Sequence, residues 1–157
     1  MLPFFEYLNE LGFSVTVRES IWFFAFIQAF HLVGLGALAG AVLIVDLRLL
    51  GRGLSTQPVA QVARDAQPWL IGAFLVMVLT GIPQLMSNAL RQYYSEFFWM
   101  KMEFLAAALI FTFTVRRWVT RAGEGRIKPV WSKLVGLVSI GLWLGVAVPG
   151  RLIGLFT

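Results

Sequence analysis

Residues 21–45 read IWFFAFIQAFHLVGLGALAGAVLIV, and this stretch decides the architecture. It contains no Asp, Glu, Lys or Arg, and its strongly polar side chains are Gln28 and His31. A charge-free apolar run longer than about 18 residues reads as a membrane-spanning helix. Just before it, Thr16-Val17-Arg18-Glu19 has the spacing of a capping box. The first span is therefore expected over about 17–50, with Gly51 and Gly53 ending it. At 1.5 Å per residue that is about 50 Å, longer than a hydrocarbon core of about 30 Å. The last turns, carrying Asp46 and Arg48, are expected to project beyond the hydrocarbon.

Three more spans follow. Thr56 opens a short amphipathic surface helix, and Pro68 suits the first turn of a second span over about 68–90. Pro83 lies inside that span and cannot donate to the Leu79 carbonyl, so a kink is expected there. Ser95 is a plausible cap for a third span over about 96–121. A charged loop over 122–128 precedes a fourth, at about 129–148, closed by Pro149-Gly150. At the N-terminus, Pro3 followed by Phe4, Leu8 and Leu11 at helical spacing reads as a short interfacial helix, or as a frayed but ordered segment. Short loops between four spans imply an all-α, up-down-up-down four-helix bundle in one transmembrane domain over 1–157.

Composition agrees. The chain has 157 residues, 59% hydrophobic, with a mean hydropathy of +0.79, against roughly 45–50% apolar for a soluble domain. The loops leave no room for a soluble catalytic domain. The absence of cysteine excludes disulfides, Cys-ligated zinc, iron–sulfur clusters and c-type haem attachment. Glu6 and Glu10 stand where a signal peptide would be basic, so no cleavable leader is expected.

The net charge of +5 invites a nucleic-acid reading, but the charges lie at helix ends, where they encode topology. Arg48, Arg52, Arg64, Arg116, Arg117, Arg121, Arg126, Lys128 and Lys133 fall on one side. Arg18, Arg91, Lys101 and Arg151 fall on the other. The first side is expected to be cytoplasmic. Both termini are then periplasmic in a bacterial inner membrane. The expected partners are the lipid bilayer, other membrane subunits or a quinone, and no nucleic acid.

His31 is the only histidine. It lies about ten residues, or roughly 15 Å, below the outer surface. An intramembrane imidazole is a functional-site candidate by default and a metal-ligand candidate by chemistry. Gln28 is one turn away on the same face and a candidate partner. Gly36-Ala37-Leu38-Ala39-Gly40 has a small-xxx-small spacing that suits close helix packing, and glycines beside a histidine also leave room for a flat cofactor. Lys101 either snorkels to the interface or turns inward toward His31. Glu103 is a candidate partner for Arg91 or Arg151. Met77 sits at a depth similar to His31, and a thioether can ligate haem iron or simply pack. Thr80 and Gln84, around Pro83, either satisfy freed backbone groups or line a pocket. No second histidine, carboxylate cluster or nucleophile motif completes a catalytic constellation.

Ala29-Phe30-His31-Leu32-Val33-Gly34, Val45-Asp46-Leu47-Arg48-Leu49-Leu50-Gly51 and Phe97-Phe98-Trp99-Met100-Lys101 together resemble a group of small bacterial membrane proteins of unknown function. These are distantly similar to the four-helix HemJ-type protoporphyrinogen oxidases and CopD-type membrane proteins. In the HemJ-type family a histidine and a lysine are implicated in holding b-type haem, so the resemblance points to His31 and Lys101. The chain lacks the further histidines usual in that family. Three functions follow as expectations. The first is a small membrane redox protein holding haem b through His31, with Lys101 or Met77 as second ligand or as contacts to a propionate or quinone. The second is a non-enzymatic accessory subunit in which His31 bonds Gln28 or a neighbouring backbone carbonyl. The third is a small transporter or proton conductor with His31 as relay.

Overall fold

The computed structural model describes residues 1–54, 56–122 and 125–156, the side chains of 155 and 156 excepted. The loop expected over 122–128 includes Gly123 and Glu124, which lie outside the described residues. The described residues are mostly helical, with no strand among them. Two short helices, α1 (Leu2–Glu10) and α2 (Gly12–Glu19), precede α3 (Ile21–Leu49) and α4 (Val59–Ser87). A short α5 (Ala89–Tyr93) leads to α6 (Glu96–Phe111), which passes through a π-helical turn (Thr112–Arg116) into α7 (Arg117–Ala122). The last helix is α8 (Pro129–Phe156). Four segments are long and apolar enough to cross a membrane: Ile21–Leu49, Val59–Ser87, Glu96–Ala122 and Pro129–Gly154. The chain is an all-α, multi-pass membrane protein.

Several helix ends differ from the sequence expectation, each for a local reason. The first span begins at Ile21, because Ser20 adopts an extended conformation and its side chain accepts from the Phe23 amide. Thr16 forms no capping box; its hydroxyl donates back to the Gly12 carbonyl at 2.9 Å within α2. The surface helix and the second span merge into one α4 that runs through Pro68 and Pro83. A proline removes one bond and leaves the neighbouring turns to carry the helix. The fourth span likewise continues through Pro149. The end of α3 does follow its glycine. Gly51 sits at φ +74, and the amides of Gly51 and Arg52 donate to the carbonyls of Arg48 and Leu47. This is a Schellman motif, which needs a left-handed residue at that position.

The spans pack most extensively as α3 on α4 and α6 on α8, with α3 also meeting α8. Lipid is as apolar as leucine, so close packing rather than water exclusion holds these faces together. Leu38, Ala41, Val42, Leu70 and Ala73 fill the middle of the bundle. Val45, Leu49, Val62, Ala66, Val119 and Val135 fill the end from which α8 starts. At the opposite end Phe5 of α1 is buried against Ala89 and Phe98, within an aromatic group that includes Tyr93 and Trp99. There α1 is docked on α5 and α6 while Phe4 and Tyr7 stay exposed.

The glycine that closes the α3–α4 crossing is Gly34. A Cβ there would stand 3.0 Å from Val76 Cγ1. Gly36 and Gly40, the expected packing pair, face open space. The buried stripe runs through 34, 38, 41, 42 and 45, and it leaves 36 and 40 on another face.

Candidate functional site

Two adjoining cavities open within the half of the bundle capped by α1 and α2. The deeper one, a chamber of about 430 Å³, is walled mainly by apolar side chains, among them Leu38, Val42, Phe74, Ile140 and Trp143. The second, of about 340 Å³, is a polar mouth at the α1–α2 end, lined by Gln28, Gln84, Asn88, Arg91, Gln92 and Arg151, among others. His31, Met77, Gly81 and Lys101 line both. Each volume lies within the roughly 300–1,000 Å³ of small-molecule sites. The fold thus brings His31, Lys101 and Met77 to one chamber and adds Gln28 at its mouth.

His31 is half-buried on α3 and faces α4. Its Nδ1 lies 2.8 Å from Thr80 Oγ1. The Thr80 hydroxyl is 2.6 Å from the Val76 carbonyl, which can only accept. The hydroxyl proton is therefore committed to that carbonyl, and Oγ1 receives the proton of Nδ1. For the neutral imidazole this network favours the Nδ1–H tautomer, with the lone pair on Nε2. A residue able to do this had to come from the neighbouring helix, and the Thr80-Gly81 pair supplies it. Gly81 lies against the imidazole, where a Cβ would make ordinary van der Waals contact at 3.5 Å with His31 Cε1. The expected Gln28–His31 hydrogen bond does not form; Gln28 lines the mouth instead, and Thr80 replaces both it and a backbone carbonyl as the partner.

Lys101 is half-buried and turned inward against α8. Its stem lies against Gly150, where a Cβ would stand in van der Waals contact with Lys101 Cε at 3.5 Å. Among the described residues it has neither a hydrogen bond nor an ion pair. Glu103 is exposed and pairs with neither Arg91 nor Arg151. Among the described residues no group of three His, Cys, Asp or Glu could hold a metal ion. Any metal at His31 would take its other ligands from the ligand itself or from different side chains.

A second polar centre was not expected. Asp46, expected near the end of the first span, is fully buried between the helices. Arg116 Nε donates to Asp46 Oδ1 at 2.8 Å. The guanidinium also donates to the Val42 carbonyl at 3.0 Å, and the Ser139 hydroxyl donates to Asp46 Oδ2 at 2.7 Å. The arginine belongs to the π turn, and its side chain is buried within the bundle. One turn earlier, Thr112 accepts from Trp143 Nε1 at 3.3 Å. Since Val42 and Trp143 also wall the chamber, this network braces the chamber floor. The spacing Val42, Asp46, Leu49 on α3 would have revealed it, because Asp46 is in phase with the buried face.

Fold and site together define a polytopic helical membrane protein with an amphipathic cavity between its helices, polar toward the α1–α2 end. The chain belongs to a family of unknown function (DUF6644), whose model matches residues 4–156. No curated protein and no solved structure matches it.

Proposed function

We propose that this protein is a small inner-membrane cofactor-binding protein that holds haem b in the chamber through Nε2 of His31. The single observation that supports this most is the hydrogen-bond chain from His31 Nδ1 through the Thr80 hydroxyl to the Val76 carbonyl. Thr80 occupies Nδ1 and leaves Nε2 with its lone pair beside a chamber lined by apolar groups. A metal-ligating histidine typically donates its other nitrogen's proton to just such a partner. The residues also fit the group in kind. The walls are apolar, Met77 and Lys101 lie within the same cavity, and positive charge gathers at one end. Haem bound there would supply one-electron redox chemistry. His31 would anchor it, Thr80 would fix the ring's orientation, and the apolar walls would limit access of water. The resemblance to HemJ-type and CopD-type proteins read from the sequence is part of this proposal.

The charge distribution supports a periplasmic α1–α2 end, although Arg116 must be removed from the cytoplasmic tally because it is paired inside the bundle. A second reading has one observation in its favour: the His31–Thr80 bond itself ties α3 to α4. In that reading the protein is an accessory subunit, and the bond is structural. The test is to purify the full chain in non-ionic detergent from cells supplied with haem precursor and to record oxidised and reduced spectra. A Soret band and reduced α-band, with haem b recovered in pyridine, are expected. A folded, colourless protein contradicts the haem reading and leaves the structural one.

A further inference from the structure

The mouth of the cavity is one-signed. Lys101, Arg91 and Arg151 line it, and no aspartate or glutamate does. None of the three cations has an ion-pair or hydrogen-bond partner among the described residues. Gln84 adds a donor: its Nε2 is buried without a partner, while the Gln92 side chain is occupied with the Gln84 backbone carbonyl at 3.2 Å. An unpaired ammonium and an unpaired amide N–H in a partly buried site each carry a desolvation cost that an oxyanion would offset. The chamber below, by contrast, offers almost only carbon.

We infer that the mouth is a receptor for the oxyanion end of an amphiphile whose apolar body fills the chamber. Lys101 and the Gln84 amide meet the anion where it leaves the chamber, and Arg91 and Arg151 attract it from the rim. The inference deepens the proposed function. If the ligand is haem b, the anions are its two carboxylates; a lipid anion with a single chain presents the same chemistry. The recognition is polar in direction, so the ligand's anionic end must face the α1–α2 end of the bundle.

Metal-free protoporphyrin tests this without recourse to His31 ligation. Binding of protoporphyrin IX and of its dimethyl ester to the purified full chain is measured by fluorescence anisotropy. A fluorescent fatty acid and its methyl ester are measured in parallel. The acid of at least one pair should bind at least ~10-fold more tightly than its ester, the scale of one charge-assisted hydrogen bond. That preference should vanish in the triple variant Lys101→Gln/Arg91→Gln/Arg151→Gln and persist in Arg126→Gln, whose charge lies at the other end of the bundle. A preference confined to the porphyrin pair or to the fatty-acid pair identifies the source. Equal binding of acid and ester in both pairs, or a preference that survives the triple variant, overturns the inference. Loss of the Soret band in the native protein with the acid preference intact would sink the haem reading alone.

Discussion

His31 is chemically specified by one neighbour. Thr80→Val keeps the shape but removes the acceptor for Nδ1–H, so it should weaken haem retention by about 10–100-fold, the usual effect of losing such an outer partner. Thr80→Ser should restore it, since a serine hydroxyl can make the same two bonds. Retention is read as the Soret-to-protein absorbance ratio during titration with a haem-scavenging apoprotein. Gly81→Leu should weaken binding strongly, because a Cβ would already touch the ring at 3.5 Å and the longer side chain would compete for the imidazole's space. At this scale the sequence was informative. His31, Gln28 and Lys101 stand out because each is polar within apolar sequence, and an intramembrane polar group needs a reason. What could not be read was the partner. Thr80 is 49 positions from His31, and only the α3–α4 register brings them together.

That register depends on Gly34. It permits Val76 to approach α3 so closely that a Cβ would be 3.0 Å from Val76 Cγ1. Gly34→Leu should therefore force α3 and α4 apart, destabilise the protein by about 1–3 kcal/mol as overpacking does, and also displace Thr80 from His31. Gly36→Leu, on an open face, should leave the melting temperature in detergent nearly unchanged. Comparing the two melting curves checks both expectations. The small-xxx-small motif at 36 and 40 misled because a glycine spacing carries no phase. The motif does not say which face of α3 the neighbouring helix will cover, and the buried stripe through Gly34 and Leu38 answers that only once α4 is in place.

Across the whole molecule, polar groups concentrate in two places and differ in kind. The Asp46–Arg116–Ser139 network is closed, with each carboxylate oxygen engaged. The cavity is open, with unused donors and an unused imidazole nitrogen. A closed buried pair is a structural element, and breaking it leaves an uncompensated charge in the bundle. Asp46→Ala should cost about 3–5 kcal/mol, whereas the double variant Asp46→Leu/Arg116→Met should be markedly less destabilised than either single change. Thermal unfolding in detergent, followed by loss of the monodisperse chromatographic peak, reads this. The four spans were legible because hydropathy runs are local. The burial of Asp46 was not legible, because its partners Arg116 and Ser139 come from distant parts of the chain. The π turn that carries Arg116 to it depends on contacts between α3 and the third span, which no local pattern encodes.

The central claim is that His31 offers Nε2 to a haem iron. Its most direct measurement is the Soret spectrum of the full chain, purified with haem supplied, for the native protein and for His31→Gly with and without added imidazole. The account predicts a Soret band in the native protein, its loss in His31→Gly, and its return when imidazole enters the space the side chain leaves. An unchanged band in His31→Gly, or a folded native protein with no band at all, would contradict it.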